Sequence, residues 1–378
     1  MATKQQGQIR KRGDGVYQVR VYRGKDAAGK RYWATETIRG TKRDAQKALT
    51  ARLHAKDAGR LPATTRETVE TYLLRWLESG RDRVRPRTLE SYSRLLKAYV
   101  IPALGTRRLA SLNGLELQEF VRALSDRGLG ARTVRYTVTV FRQALRQAVR
   151  WRLLPVNPVE ANDLTLPRQE RKERRWLSPA EASKLLVTAE GHRLAALWHV
   201  AIMTALRPGE YLALMWPDVD LSAGTLTVRR VLLPGGIFGE PKTKQSRRTV
   251  TLPVSTVRAL REHKRRQAEE RLAAGNQWQD SGLVFCTALG RPLDHNNLVH
   301  YHFKPLLTRA ELPAIRLYDL RHTGATLLLE AGENLKVVSE RLGHASIILT
   351  ADTYSHVSPT MQARAAERLE TLLASSLG

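Results

Sequence analysis

Hydrophobic positions change period along this chain, and each change marks a different kind of element. Residues 16–22 (Val16, Tyr17, Gln18, Val19, Arg20, Val21, Tyr22) alternate, and residues 31–37 answer them across a loop containing Gly24 and Gly29. This predicts a small antiparallel sheet within residues 7–38. Thr41 is placed to cap a helix over 42–58, ended by Gly59. From 65 to 157 the period is helical. Val69, Tyr72, Leu73, Trp76 and Leu77 form one stripe over 68–78. Leu89, Tyr92, Leu95, Leu96 and Tyr99 form another over 88–99, with Thr88 as its cap, and two further helices fit 114–124 and 131–152. The result is a four-helix unit.

Pro155, Pro158 and Pro167, followed by a mixed charge run over 168–175, read as a linker. A new domain then starts with Ser178 as cap, Pro179 in the first helical position and Glu181 completing a capping box. Its pattern is helical over 181–215, then strands and turns over 225–252. These are a strand over 225–233, a Gly235-Gly236 turn and a strand over 247–252. Helices return over 254–273 and 296–309. Two short ones follow, 323–331 closed by Gly332 and 335–342 closed by Gly343. The last, over 359–374 with Ser358 as cap, carries Met361, Ala365, Leu369, Leu372 and Leu373. That stripe is too short to stand alone and must dock on its own domain or on a neighbour. The expected fold is multidomain and mainly α with small β-sheets (α+β). The expected parts are 1–60, 65–160, a linker over 161–176, and 177–378.

Charge narrows the partners. The 378 residues carry a net charge of +27, which points to a polyanion. An anionic membrane is the competitor, but no run reaches the ~18–20 apolar residues of a span, and the opening residues lack signal-peptide form. Double-stranded DNA is the expected partner. Cys286 stands alone, which excludes an internal disulfide and a cysteine-based zinc site and suits a reducing cytoplasm. Residues 1–60 hold 16 basic and 5 acidic side chains, the densest charge in the chain. That favours a sheet laid in a major groove, with Arg20 and Arg31 as DNA contacts. In the helical unit the aromatic stripe reads as core. Arg85, Arg87, Arg132 and Arg135, near helix starts, are placed for phosphate contact, which fixes register without reading sequence.

Three upstream places bear on a tyrosine near the C-terminus. Arg207, in Thr204-Ala205-Leu206-Arg207-Pro208-Gly209-Glu210, ends an apolar helix, where a cation ordinarily balances the dipole. Lys242 and Lys244 sit on a strand connection, where lysines ordinarily protect an edge. Tyr318-Asp319-Leu320-Arg321-His322 opens a helix. Taken singly, each has an unremarkable structural reading. In order and spacing, with Leu342-Gly343-His344 and Tyr354 after them, they resemble the tyrosine recombinase (phage integrase) family. The first arginine box of that family matches Arg207 and Glu210, and its hairpin lysine matches Lys242. The H-x-x-R-H box matches Tyr318 to His322, the L-G-H box Leu342 to His344, and the nucleophile Tyr354. The resemblance covers the whole chain. It makes residues 1–60 similar to an arm-binding domain and the four-helix unit similar to a core-binding domain.

The resemblance implies a site-specific recombinase that cuts and rejoins DNA through a 3′-phosphotyrosyl link and a Holliday junction, without ATP, metal or cofactor. Two arginines can grip the phosphoryl oxygens bidentately as negative charge builds, and His344 adds a donor. Lys242 is assigned as general acid toward the leaving 5′ oxygen, with Lys244 as the alternative. Glu210 is an orienter. Two positions depart from the family pattern. Ala205 replaces a glycine, a change expected to matter little, and Tyr318 replaces a histidine, so it is expected to support the phosphate rather than act as base. His322 is expected to face elsewhere on the helix, as a buried, hydrogen-bonded histidine. The implied assembly is a homotetramer on DNA that is monomeric when free, with core and arm sites and DNA-bending and directionality proteins as accessories. Alternatives are a DNA-binding protein of this fold with weak or no cleavage, a chromosome-dimer resolvase, or a type IB topoisomerase. The cationic N-terminal module weighs against the resolvase.

Overall fold

The computed structural model describes residues 7–25, 31–57, 67–169, 175–241 and 244–354, with eight further positions between 362 and 374. It divides into two compact units, Met1–Arg171 and Lys172–Gly378, and the division falls within the segment read as a linker. The chain is mainly helical with small antiparallel sheets. No described helix is long and apolar enough to cross a membrane.

In the first unit, β1 (Gly7–Gly13), β2 (Val16–Lys25) and β3 (Arg31–Arg39) form an antiparallel sheet in that order. Alternation sends Val19, Val21 and Ala34 to one face, where they pack on Ala45 and Leu49 of α1 (Lys42–Asp57). Thr41 and Asp44 cap that helix reciprocally, each main-chain N–H donating to the other's side chain. Gly59 lies outside the described residues. The opposite face is polar. Register aligns Gln8 with Arg20 and Thr35, Arg10 with Gln18 and Thr37, and Tyr22 with Trp33.

The helical part contains α2 (Val69–Ser79), α3 (Pro86–Leu95), α4 (Gly114–Asp126) and α5 (Ala131–Arg150). The Tyr72, Leu73, Trp76 and Leu77 stripe is buried in one core with Phe120 and Phe141, and the Trp76 and Tyr92 rings stack at 5.9 Å. α3 starts earlier than the Thr88 cap expected from sequence. Pro86 takes the first helical position, where its fixed φ is already helical and its missing N–H is not needed.

The second unit opens with α6 (Pro179–Thr188), held by the Ser178–Glu181 capping box. The helical pattern over 181–215 is not one helix. Gly191 at φ +75° and Ala205 at φ +52° break it, leaving α7 (Ala195–Thr204) and the single turn α8 (Pro208–Tyr211). α7 is buried on nearly all sides, with Trp198 against Phe303, so it is the axis of this unit. The strand region also differs. β4 (Val219–Asp220), β5 (Thr225–Thr227) and β8 (Thr249–Thr251) form one sheet. Gly235-Gly236 instead turns a separate hairpin of β6 (Val231–Leu233) and β7 (Ile237–Gly239). α9 (Val254–Ala274), α10 (Lys304–Arg309), α11 (Asp319–Glu330), α12 (Leu335–Leu342) and α13 (Ile347–Tyr354) follow. α11 starts four residues before the expected 323, because Asp319 accepts from the main chain and guanidinium of Arg316 and anchors the first turn. Of the helix expected over 359–374, Met361, Ala365 and Leu372 lie outside the described residues, and Leu369 and Leu373 are exposed.

Candidate active site

The site grows from the end of α7. Ala205 sits in the left-handed region at its C-cap, φ +52° and ψ 30°, which turns its carbonyl toward α11. A side chain there carries strain of about 1–2 kcal/mol. The substitution for glycine is therefore not the neutral change the sequence suggested. α11 reaches this carbonyl because Gly324 lets the two helices touch. A Cβ at 324 would lie 2.2 Å from the Ile202 oxygen.

Arg321, 2% exposed, projects from the first turn of α11. One Nη1–H goes to the Ala205 carbonyl at 2.8 Å. Nη2 donates to the Leu342 carbonyl at 2.7 Å and to His344 Nε2 at 3.1 Å. Burial and the nearby Arg207 charge lower its pKa to about 10, so it remains charged at neutral pH. Arginine only donates, so His344 Nε2 accepts. Burial, then the charges of Arg321, Arg207 and Arg248, lower the His344 pKa to about 4 and keep the ring neutral. Its one proton therefore sits on Nδ1 and goes to Thr350 Oγ1 at 2.8 Å. In this arrangement both nitrogens of His344 are engaged inside the protein. His344 thereby ties the Arg321 guanidinium to Thr350 of α13.

Arg207 is the N-cap of α8, and Glu210 stands three residues on, 1% exposed. The Glu210 carboxylate accepts from the Arg207 main chain at 3.0 Å and its Nη1 at 2.8 Å, and from Arg248 Nη2 at 2.9 Å. Burial raises the Glu210 pKa, but Arg248 and Arg207 outweigh it and hold the group below the usual carboxylate range. Arg248 also donates to the Arg341 carbonyl at 2.6 Å, tying the entry to β8 to the end of α12. Two guanidinium groups thus hold a single carboxylate, with the Arg321 charge within electrostatic reach of it, so the pocket carries surplus positive charge.

Tyr354 ends α13, half-buried against the cluster of Ala205, Ala325, Leu329, Val338 and Leu342. Its hydroxyl lies 2.9 Å from His322 Nδ1. His322 is buried, as expected, but it does not face away from the site. One helical turn after Tyr318, it shares that residue's face of α11, and the two rings meet edge to face at 5.4 Å. Tyr318 itself is 40% exposed.

Lys242 lies outside the described residues, and so does the side chain of Arg31. Arg20 stacks over Trp33 at 5.1 Å. Arg85, Arg87 and Arg132 are on the surface, and so is Arg135, which donates to the Pro167 carbonyl at 3.2 Å. Sequence reading missed Arg248 and Thr350. A signal for Arg248 existed: directly before β8, its position shares the parity of Val250 and Leu252, both buried, so a charge there points inward. Thr350 had none. It is fully buried while its apolar neighbours Ile348 and Leu349 are exposed, the reverse of their hydrophobicity.

Residues 175–361 match the phage integrase family, and residues 68–125 match the phage integrase N-terminal SAM-like domain. The XerC-like tyrosine recombinase of Caldanaerobacter subterraneus is 32% identical over 96% of this chain and 97% of its own length. The chain belongs to the tyrosine recombinase (phage integrase) family. This recombinase is an enzyme that acts site-specifically on DNA. An integrase of Streptomyces ambofaciens is 31% identical over 85% of each chain. The fold is shared with the Tn1549 transposon integrase solved with a circular intermediate DNA, at TM-score 0.67 and 20% identity over 80% of this chain and 99% of that one. It is shared also with a lambda integrase tetramer bound to a Holliday junction, at TM-score 0.56 and 18% identity, covering 92% and 94%.

Proposed function

We propose that this recombinase integrates and excises a mobile element, with Tyr354 as nucleophile. The observation that carries this reading is the placement of the Tyr354 hydroxyl against an imidazole, its ring packed in the cluster that includes Ala205 and Leu342, whose carbonyls hold the buried guanidinium of Arg321. The hydroxyl oxygen attacks a DNA phosphorus and the 5′ oxygen leaves, so bond energy is kept in a phosphotyrosyl link. Arg321 commits three of its five N–H groups to the protein, which leaves two to meet a phosphoryl oxygen in a fixed direction. Arg207, held by Glu210, meets another. Donors fixed beforehand stabilise the developing charge by about 3–4 kcal/mol each. Lys242 protonates the leaving oxygen. The partners are core and arm sites on double-stranded DNA, met by a monomer that assembles into a tetramer. DNA-bending and directionality proteins assist in the cytoplasm. The integrase relatives and the tetrameric lambda complex support this reading.

The test is a nicked half-site cut from DNA flanking the gene, followed by denaturing electrophoresis and peptide mass spectrometry. A covalent adduct at Tyr354, lost in Tyr354→Phe with DNA binding retained, is expected. Tight binding without any adduct would make the protein a DNA binder instead.

A further inference from the structure

We propose that His322 takes the proton from Tyr354 during strand cleavage, the task left open by the tyrosine at position 318; this rests on Tyr354 being the nucleophile. His322 is 7% exposed and its Nδ1 stands 2.9 Å from the Tyr354 oxygen, within the reach a general base requires. The imidazole packs on both tyrosine rings, at 5.4 Å from Tyr318 and 5.7 Å from Tyr354. Imidazole nitrogens exchange protons near neutral pH, whereas phenols as a class hold theirs to about pH 10. Of the two aromatic groups on this face of α11, only the histidine is chemically fitted to the task.

The helix is also fixed in rotation, so the contact does not depend on the histidine alone. Thr323 Oγ1 accepts from the Leu177 N–H at 3.0 Å, Gly324 seats on Ile202, and Arg321 is tied to Ala205 and Leu342. Among the described residues, the ionisable groups that face the imidazole include Tyr318 and Asp319 at the start of its own helix, His344 beyond α12 and Tyr354 on α13.

In the step, the Tyr354 O–H bond breaks and its proton passes to Nδ1, giving an imidazolium. The oxygen's electron pair forms the new bond to phosphorus. The bond from phosphorus to the 5′ oxygen breaks, and that oxygen keeps the pair and takes a proton from the general acid, Lys242. In rejoining, the 5′ hydroxyl attacks, its proton returns to the lysine, and the imidazolium gives its proton back to the tyrosine.

The experiment measures single-turnover adduct formation on the nicked half-site from pH 5.5 to 9, for the full-length protein and for His322→Asn and His322→Gln. DNA binding of each variant is checked first by gel shift. Both variants keep hydrogen-bonding capacity but supply no base, and each is expected to slow adduct formation about 100-fold or more and to lose the rising limb with pH. A second substrate carries sulfur in place of the 5′ oxygen, so the leaving group needs no acid. There the His322 defect is expected to persist, whereas a Lys242→Ala defect is relieved. A His322→Asn rate within about threefold of the parent with its pH limb intact, or a defect erased by sulfur, would overturn the proposal while leaving the cleavage reading standing. Absence of an adduct from the unaltered protein would overturn the cleavage reading and this inference with it.

Discussion

His344 is the residue whose protonation state most constrains the site. Its folded pKa, about 4, lies well below the ~6.5 of an unfolded histidine. As pH falls below about 6.5, the unfolded chain takes up a proton that the folded chain refuses until about 4, so stability present above 6.5 is lost through that window. His192, His199, His263 and His302 are shifted the same way by burial and add to the slope. Denaturant midpoints should therefore fall steadily between pH 6.5 and 4, with His344 ring resonances still those of a neutral imidazole at pH 5.5. A ring that titrates near 6.5 would contradict the tautomer derived from Arg321. The partner on Nδ1 can be tested separately. Thr350 is fully buried, so Thr350→Val keeps its shape and leaves the ring N–H unsatisfied, a loss of about 1–3 kcal/mol. Adduct formation should drop about tenfold with DNA binding unchanged, since misorientation of a supporting group acts on the chemical step. Thr350→Ser should restore most of it.

At the scale of elements, the site depends on how closely α7 and α11 approach. A Cβ at Gly324 would meet main-chain oxygen at 2.2 Å and the Ala205 Cβ at 3.1 Å, and neither can swing aside as a flexible side chain would. Gly324→Ala should therefore destabilise the second unit by about 1–3 kcal/mol and draw Arg321 away from the Ala205 carbonyl. Chemical denaturation and adduct yield should fall together; an unchanged midpoint would mean the helices have room. This junction also explains what was legible in the sequence. The order of Arg207, Arg321, His344 and Tyr354 could be read because fixed chemistry needs those side chains beside short turn signals such as Gly343. The helix stripes could be read because Tyr72, Trp76 and their neighbours repeat at the helical period. The broken helix at Ala205 could not, because an alanine gives no sign that its backbone is left-handed. Nor could the His322 contact, which depends on where α13 lies, and no helix was expected at residues 347–354. The sheet went wrong for a similar reason: a Gly-Gly pair announces a turn but not which strands it joins.

Over the whole molecule, the surplus charge is spread across parts with different tasks, and those tasks should respond differently to salt and substitution. The N-terminal sheet buries one face on α1 and presents on the other Gln8, Arg10, Gln18, Arg20, Tyr22, Trp33, Thr35 and Thr37, with no acidic side chain among them. The Arg20 guanidinium lies over the Trp33 ring at 5.1 Å, which limits its freedom and so the entropic loss on binding. Such a face suits base edges and phosphates, as the proposed reading of an arm sequence apart from the crossover site requires. Replacing Arg10 and Arg20 together by alanine in the full-length protein removes two of these contacts without touching the small core of Val19, Val21, Ala45 and Leu49. On long DNA bearing arm and core sites, affinity should fall about tenfold or more and the dependence on salt should become shallower, because fewer counterions are released. On a short duplex carrying only the crossover site, affinity and adduct yield should stay within about twofold, since lost arm contacts cannot matter where no arm is present. Equal losses on both DNAs would mean that this face grips the core site too, and that the N-terminal module is not a separate reader.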